Sequence, residues 1–208
     1  LTHLVTSTKN ISMADVKKFV SAANIRNNSF KIAKFLLANE FIPTIIYAVL
    51  RGGVYVANPI HEYYLYKGHN VKYGVIRASS YEGAKKLDEI KIEYIVPELT
   101  IIKKEDRILI AEDIIDTRRT ITKIIDEIET KTPLRRKPDE MMGLKEIVIV
   151  ANDYKEKEIG DWKNDKRTNP DYYANHWRKE EWVHYTTHEL LGLDSEEIKR
   201  IYGDIEWK

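Results

Sequence analysis

Residues Arg107–Glu129 read RILIAEDIIDTRRTITKIIDEIE. The stretch opens on Ile108-Leu109-Ile110-Ala111, an apolar run of the kind a buried strand needs, and closes on Ile121, Ile124, Ile125 and Ile128 at helical spacing. Between them lie Glu112, Asp113 and Asp116, then Thr117-Arg118-Arg119-Thr120. A strand feeding a helix through these residues sets carboxylates at the strand's C-terminal end and hydroxyls, guanidinium groups and free amides at the helix start. Open α/β sheets bind ligands at that end of their strands, and helix starts attract anions. The stretch therefore predicts an α/β fold and places a ligand site in it.

Working outward, Thr44-Ile45-Ile46-Tyr47-Ala48-Val49-Leu50 is a nearly unbroken apolar and β-branched run, which predicts a central parallel strand. It runs into Arg51-Gly52-Gly53 and a helical segment from Val54 to Tyr66, a second ligand-type junction. Ala14 to Asn39 carries two sets of helically spaced apolar residues with a break expected at Asn27-Asn28, so two helices are predicted. Val71 to Arg77 predicts a further strand. The charged stretch from Ala78 to about Glu93 shows no convincing apolar period, which leaves disorder or a mobile lid. Downstream, Lys131 to Asp139 (KTPLRRKPD) predicts a solvated basic connector, and Glu146 to Ala151 another buried strand. Asn152 to Arg178 is polar and predicts a long loop or small appended subdomain; Trp182 to Thr186 predicts an edge strand, and Asp194-Ser195-Glu196-Glu197 caps a last helix through Tyr202. Strands alternating with helices argue for a mostly parallel central sheet flanked by helices.

Composition narrows the function classes. The chain has 208 residues, 43% apolar and 32% charged, with 34 basic against 33 acidic side chains, which predicts one globular domain without a general affinity for nucleic acid. There is no cysteine, so disulfides, thiolate metal sites and a cysteine nucleophile are excluded together. No apolar run approaches the roughly 20 residues of a membrane span, and LTHLVTSTKN lacks a signal-peptide pattern, so no membrane partner and a cytoplasmic location are expected. His184, His188 and Glu189 place two histidines four apart beside an acid, but without a third placed ligand they make a weak zinc pattern.

Three carboxylates within five positions repel one another unless they hold a cation or sugar hydroxyls. The full run from Ile108 to Thr120 resembles the phosphoribosyl-pyrophosphate motif of type I phosphoribosyltransferases, and its Glu112-Asp113-Ile114-Ile115-Asp116-Thr117 form is most similar to the 6-oxopurine (hypoxanthine-guanine) enzymes. Val49-Leu50-Arg51-Gly52-Gly53 resembles the family's pyrophosphate loop, whose peptide before the basic residue is often cis. Ala78-Ser79-Ser80-Tyr81 resembles its lid, Lys155 its purine-reading lysine, and Pro170-Asp171-Tyr172-Tyr173 with Glu181-Trp182-Val183 its hood over the base.

The resemblance implies a type I phosphoribosyltransferase fold in one domain spanning residues 1–208, with a core from about 14 to 151 and a hood from about 152–190 plus N-terminal residues. It implies transfer of the phosphoribosyl group to hypoxanthine or guanine, with xanthine a further acceptor, in purine salvage. Mg²⁺ would be the cofactor, and a homodimer or higher homo-oligomer the assembly. By residue, it implies Asp116 as catalytic acid or base and Glu112 and Asp113 on ribose and metal. Thr117, Arg118, Arg119 and Thr120 would hold the 5′-phosphate, and Arg51, Gly52, Ser80 and Tyr81 the pyrophosphate. Lys155, Trp182 and Val183 would meet the purine, and Glu189 a second metal.

Three departures stand out. Arg118 replaces the loop glycine that usually follows Asp-Thr, so the backbone there is expected to avoid a glycine-only conformation or the loop to differ. The interval from Lys155 to Trp182 is long, and no C-terminal arginine aligns with the family's pyrophosphate contact. Two rival readings remain. One is a regulatory nucleotide- or phosphoribosyl-pyrophosphate-binding protein of the same fold, which would be expected to carry a basic face or an added module. The other is an enzyme of this fold for adenine or a pyrimidine, which Lys155 disfavours in the case of adenine.

Overall fold

The computed structural model describes residues 17–82, 85–155, 165–178, 182–185 and 195–202. Six strands form the main sheet in the order β4-β3-β2-β5-β6-β7. They are β2 (Ile45–Leu50), β3 (Lys72–Glu82), β4 (Lys85–Val96), β5 (Ile108–Ile115), β6 (Ile147–Lys155) and β7 (Tyr172–Trp177). All neighbours pair in parallel except β3 and β4, so the predicted mostly parallel sheet is what forms. Helices α1 (Ala22–Ala38) and α2 (Val54–Tyr66) cover one face; α3 (Arg119–Lys131) covers the other. This division follows from patterning. In β6, Val148 and Val150 enter the first apolar layer while Ile147 and Ile149 enter the second, the alternation a strand imposes when both faces are covered.

The central pair decides where a ligand fits. From β2 the chain passes through α2 to β3 on one side; from β5 it passes through α3 to β6 on the other. Beyond the C-terminal ends of β2 and β5, connections diverge to opposite faces and leave the crevice typical of open α/β sheets.

Four sequence expectations are corrected. The segment expected to hold two helices holds β1 (Lys17–Val20) and one continuous α1, whose N-cap Ser21 accepts from the Asn24 amide at 3.2 Å. Asn27-Asn28 does not break the helix, because an amide side chain can bond sideways: the Asn28 Nδ2 donates to Asn152 Oδ1 at 3.0 Å. The charged stretch after Arg77 is a β-hairpin with two register shifts, and Ile92 and Ile95 of its second strand pack on the second apolar layer. The polar stretch after Ala151 is not one long loop: Asn152–Lys155 extends β6, and Tyr172–Trp177 adds an edge strand. Asp171 accordingly lies at the start of β7, where its carboxylate accepts from the Ile149 amide at 2.8 Å.

The basic connector is the fourth correction. Arg136 is buried and donates to the Ile147, Arg167 and Asn169 carbonyls, and it pairs with Asp171 at 2.8 Å. Strand β8 (Trp182–Tyr185) forms as predicted but pairs with β1 in a separate two-stranded parallel sheet, and α4 (Ser195–Tyr202) closes the described chain. Among the described residues no helix is long and apolar enough to cross a membrane.

Candidate active site

The turn after β2 and the end of β5 meet directly. A methyl group at Gly52 would lie 1.7 Å from Asp113 Oδ2, and one at Gly53 would lie 2.3 Å from the Ala111 carbonyl. Only glycines allow this approach, and it joins the two junctions picked out in the sequence. The Leu50–Arg51 peptide is cis, the form that the resemblance carries there.

Glu112 and Asp113 are both buried. The Asp113 amide donates to Glu112 Oε1 at 3.0 Å and the Ile114 amide to Asp113 Oδ1 at 2.9 Å, so each carboxylate is turned back on the strand end. Tyr185 on β8 donates its hydroxyl to the Asp113 carbonyl at 3.1 Å, tying the small sheet to this point. Burial, then the neighbouring Asp113 charge, pushes the Glu112 carboxyl well above its ordinary value. Two adjacent buried carboxylates invite a proton or a cation. They fit Mg²⁺, which is commonly held by one or two carboxylates together with waters and substrate phosphates. Among the described residues no group of three His, Asp or Glu side chains forms a protein-only metal cage.

Asp116 follows β5 in the turn, half-buried, with its Oδ1 shielded from solvent. Thr117, Arg119 and Thr120 are half-buried around the start of α3, which has no acid in its first turn and no side-chain cap. A helix start without acids in its first turn presents a partial positive charge to an anion.

Arg118 corrects an expectation. Its backbone does enter the left-handed region, at φ 60° and ψ −5°, where the resemblance placed a glycine. Its guanidinium is buried and donates to Asn169 Oδ1 at 2.6 Å, while its carbonyl accepts from the Thr122 amide and hydroxyl at 2.8 and 3.0 Å. The left-handed turn here is thus made by a residue whose side chain is itself anchored.

Lys155 is buried at the end of β6 and pairs in register with Trp177. Val183 is half-buried on β8, and the Trp182 backbone pairs with Lys17. The side chains of Ser80, Tyr81, Trp182 and His184, and the whole of His188 and Glu189, lie outside the described residues; the Ser80 and Tyr81 backbones belong to β3.

Asp153 escaped the sequence reading. It is fully buried, two residues before Lys155, and three side chains donate to it. The apolar run ends at Ala151, so Asn152-Asp153 resembled the start of a loop. The available signal was the neighbouring strand, where acids also follow an apolar run and where Ile114 pairs with Asp153.

An α/β sheet covered on both faces, with a glycine turn and acids at its switch point, is the class of open α/β fold that places ligand sites at the strand ends. The chain belongs to the type I phosphoribosyltransferase family, since the profile "Phosphoribosyl transferase domain" matches residues 17–178. No curated protein sequence matches it. Among solved structures it is similar to the purine phosphoribosyltransferase from Pyrococcus horikoshii Ot3, at 24% identity over 81% of this chain and 91% of that one, with a TM-score of 0.55. The Helicobacter pylori xanthine-guanine-hypoxanthine phosphoribosyltransferase is similar at 20% identity over 82% and 92% of the two chains, TM-score 0.52. A hypothetical protein from Neisseria gonorrhoeae with bound ppGpp gives 14% identity over 88% and 94%, TM-score 0.60. At these identities the likeness is one of fold.

Proposed function

We propose that the chain transfers the 5-phosphoribosyl group of phosphoribosyl pyrophosphate to a 6-oxopurine, hypoxanthine or guanine with xanthine as a further acceptor, as a purine-salvage enzyme of the cytoplasm. The observation that supports this most is the convergence of Gly52 and Asp113, with the acid-free start of α3 one short turn beyond. Surfaces suited to pyrophosphate, ribose and 5′-phosphate thus adjoin one another.

In the reaction a purine ring nitrogen bonds to the ribose anomeric carbon as the bond from that carbon to the pyrophosphate oxygen breaks. The electron pair leaves with pyrophosphate, and the purine proton passes to Asp116. Glu112 and Asp113 hold the ribose hydroxyls. Thr117, Arg119 and Thr120 hold the 5′-phosphate with the amides of the α3 start, to which Arg118 contributes its backbone. Arg51 and the Gly52 amide face pyrophosphate, and Ser80-Tyr81 on the β3–β4 hairpin closes over it and keeps water out. Lys155 donates to the purine 6-oxo group, Trp182 stacks on the base and the Val183 backbone meets the purine C2 edge. Mg²⁺ supplies neutralisation of the leaving charge when bound, with Glu112 and Asp113 as the residues to hold it and Glu189 as a carboxylate for a second ion. A homodimer or higher homo-oligomer accompanies this reading.

A spectrophotometric panel of hypoxanthine, guanine, xanthine, adenine, uracil and orotate, each with phosphoribosyl pyrophosphate and Mg²⁺, tests it. Turnover confined to the 6-oxopurines is the expected result. Turnover of adenine or a pyrimidine alone would reassign the acceptor, and tight phosphoribosyl-pyrophosphate binding with no turnover of any base would establish the regulatory alternative.

A further inference from the structure

The end of β6 is held by an unusual device. Asp153 Oδ1 accepts from Trp177 Nε1 at 2.6 Å and from Asn175 Nδ2 at 2.7 Å, and its Oδ2 accepts from Asn152 Nδ2 at 2.7 Å. Asn152 in turn accepts from Asn28, so one hydrogen-bonded chain crosses from α1 through β6 to β7. The carboxylate is fully buried, and burial is the main influence that raises its proton affinity. Isolating such a group from water is costly unless its oxygens are satisfied.

What it holds is one edge of the sheet. Strand β7 has a single neighbour, and its last residue Trp177 pairs with Lys155, the last residue of β6. Such ends fray when only one neighbour supplies hydrogen bonds. Trp177 also packs into the apolar layer that contains Val20 of β1 and Val183 of β8. Val20 of β1 lines one cavity together with Asn175 and Trp177, so the clamped end of β7 faces the small sheet.

We propose that Asp153 is a positioning residue for the acceptor base: by clamping Trp177 and Asn175 against β6, it fixes Lys155 relative to the β1–β8 pair. The inference rests on the base site proposed above. It assigns Asp153 no contact with substrate and no part in proton transfer. Loss of the clamp should loosen recognition of the base while leaving the sugar-phosphate site, built on β2, β5 and α3, as it was.

Trp177→Phe removes the indole donor and keeps a smaller aromatic ring, and Asp153→Asn keeps the side-chain shape and an oxygen acceptor while placing an amide donor opposite the Asn152 amide. For each variant the KM for hypoxanthine or guanine and for phosphoribosyl pyrophosphate would be measured. Calorimetry would give affinities for IMP or GMP and for ribose 5-phosphate. The expected result is about a tenfold or greater rise in base KM and loss of monophosphate affinity, with the phosphoribosyl-pyrophosphate KM and ribose 5-phosphate affinity within about twofold of the parent. Asp153→Asn should have the smaller effect. Equal loss at both ends of the site would reduce the clamp to general stability, and unchanged base recognition in Trp177→Phe would overturn the proposal. A parent protein that binds ribose 5-phosphate but neither monophosphate would instead overturn the base site itself.

Discussion

At Arg118 two effects oppose each other in one residue. The left-handed backbone at φ 60° costs a side-chain-bearing residue about 1 kcal/mol, and the buried bond to Asn169 offsets it. Arg118→Ala loses the bond and keeps the strain; Arg118→Gly loses the bond and relieves it. Glycine should therefore leave the protein more stable than alanine by about 1 kcal/mol in denaturant unfolding, and the reverse order would show that the loop relaxes out of the left-handed region. Glu112 makes a pH-dependent prediction. Its folded carboxyl is raised well above 4.5, so the native state retains a proton that the unfolded chain releases. Stability from this group is then full below the unfolded value and declines as pH rises toward the folded one. Glu112→Gln should gain stability over the parent as pH rises above the ordinary carboxylate range and lose phosphoribosyl transfer; a stability difference independent of pH would contradict the shift.

Elements were legible where burial on both sides forced an apolar run, as in β2, β5 and β6, or where helical spacing marked α2 and α3. They were illegible where polar groups were satisfied laterally. Asn27 and Asn28 looked like a break because an amide that bonds across to β6 carries the same letters as one that ends a helix. The β4 strand had one usable signal, the alternation Ile90-Lys91-Ile92, and Ile92 and Ile95 pack on the second apolar layer. In the connector, Arg136 looked solvated because charged residues in a proline-rich turn usually are. Instead its side chain and that of Asp171 are only 1% and 4% exposed, and Lys145 Nζ lies 3.2 Å from the other Asp171 oxygen. One carboxylate thus neutralises two buried cations and locks the connector to β6 and β7. Asp171→Ala should cost about 3–5 kcal/mol in chemical denaturation, because it strands both cations and the Ile149 amide. A cost below about 1 kcal/mol for Asp171→Ala would mean that solvent reaches the trio.

For the molecule as a whole, the central strands β2, β3, β5 and β6 followed from the sequence, but the closeness of Gly52 to Asp113 did not, because it arises from two crossovers that leave β2 and β5 side by side. The site exists only when those strands pair, so a ligand of the proposed kind binds the native state and not the unfolded chain. Saturation with Mg²⁺ and phosphoribosyl pyrophosphate at about 100 times Kd should add about 2.7 kcal/mol, which in a chain of this size raises Tm by about 5–10 °C. Gly52→Ala should abolish the shift, since its methyl would overlap the Asp113 carboxylate, 1.7 Å from Oδ2. Asp116→Asn should keep the shift yet lower turnover by about 10²-fold, because the proposed reaction uses it at the base and not at the sugar phosphate. If phosphoribosyl pyrophosphate left the parent Tm unchanged while a free purine raised it, the ligand site would have to be moved away from the β2–β5 junction; if Asp116→Asn lost the shift along with turnover, Asp116 would belong to sugar-phosphate binding rather than to the chemistry.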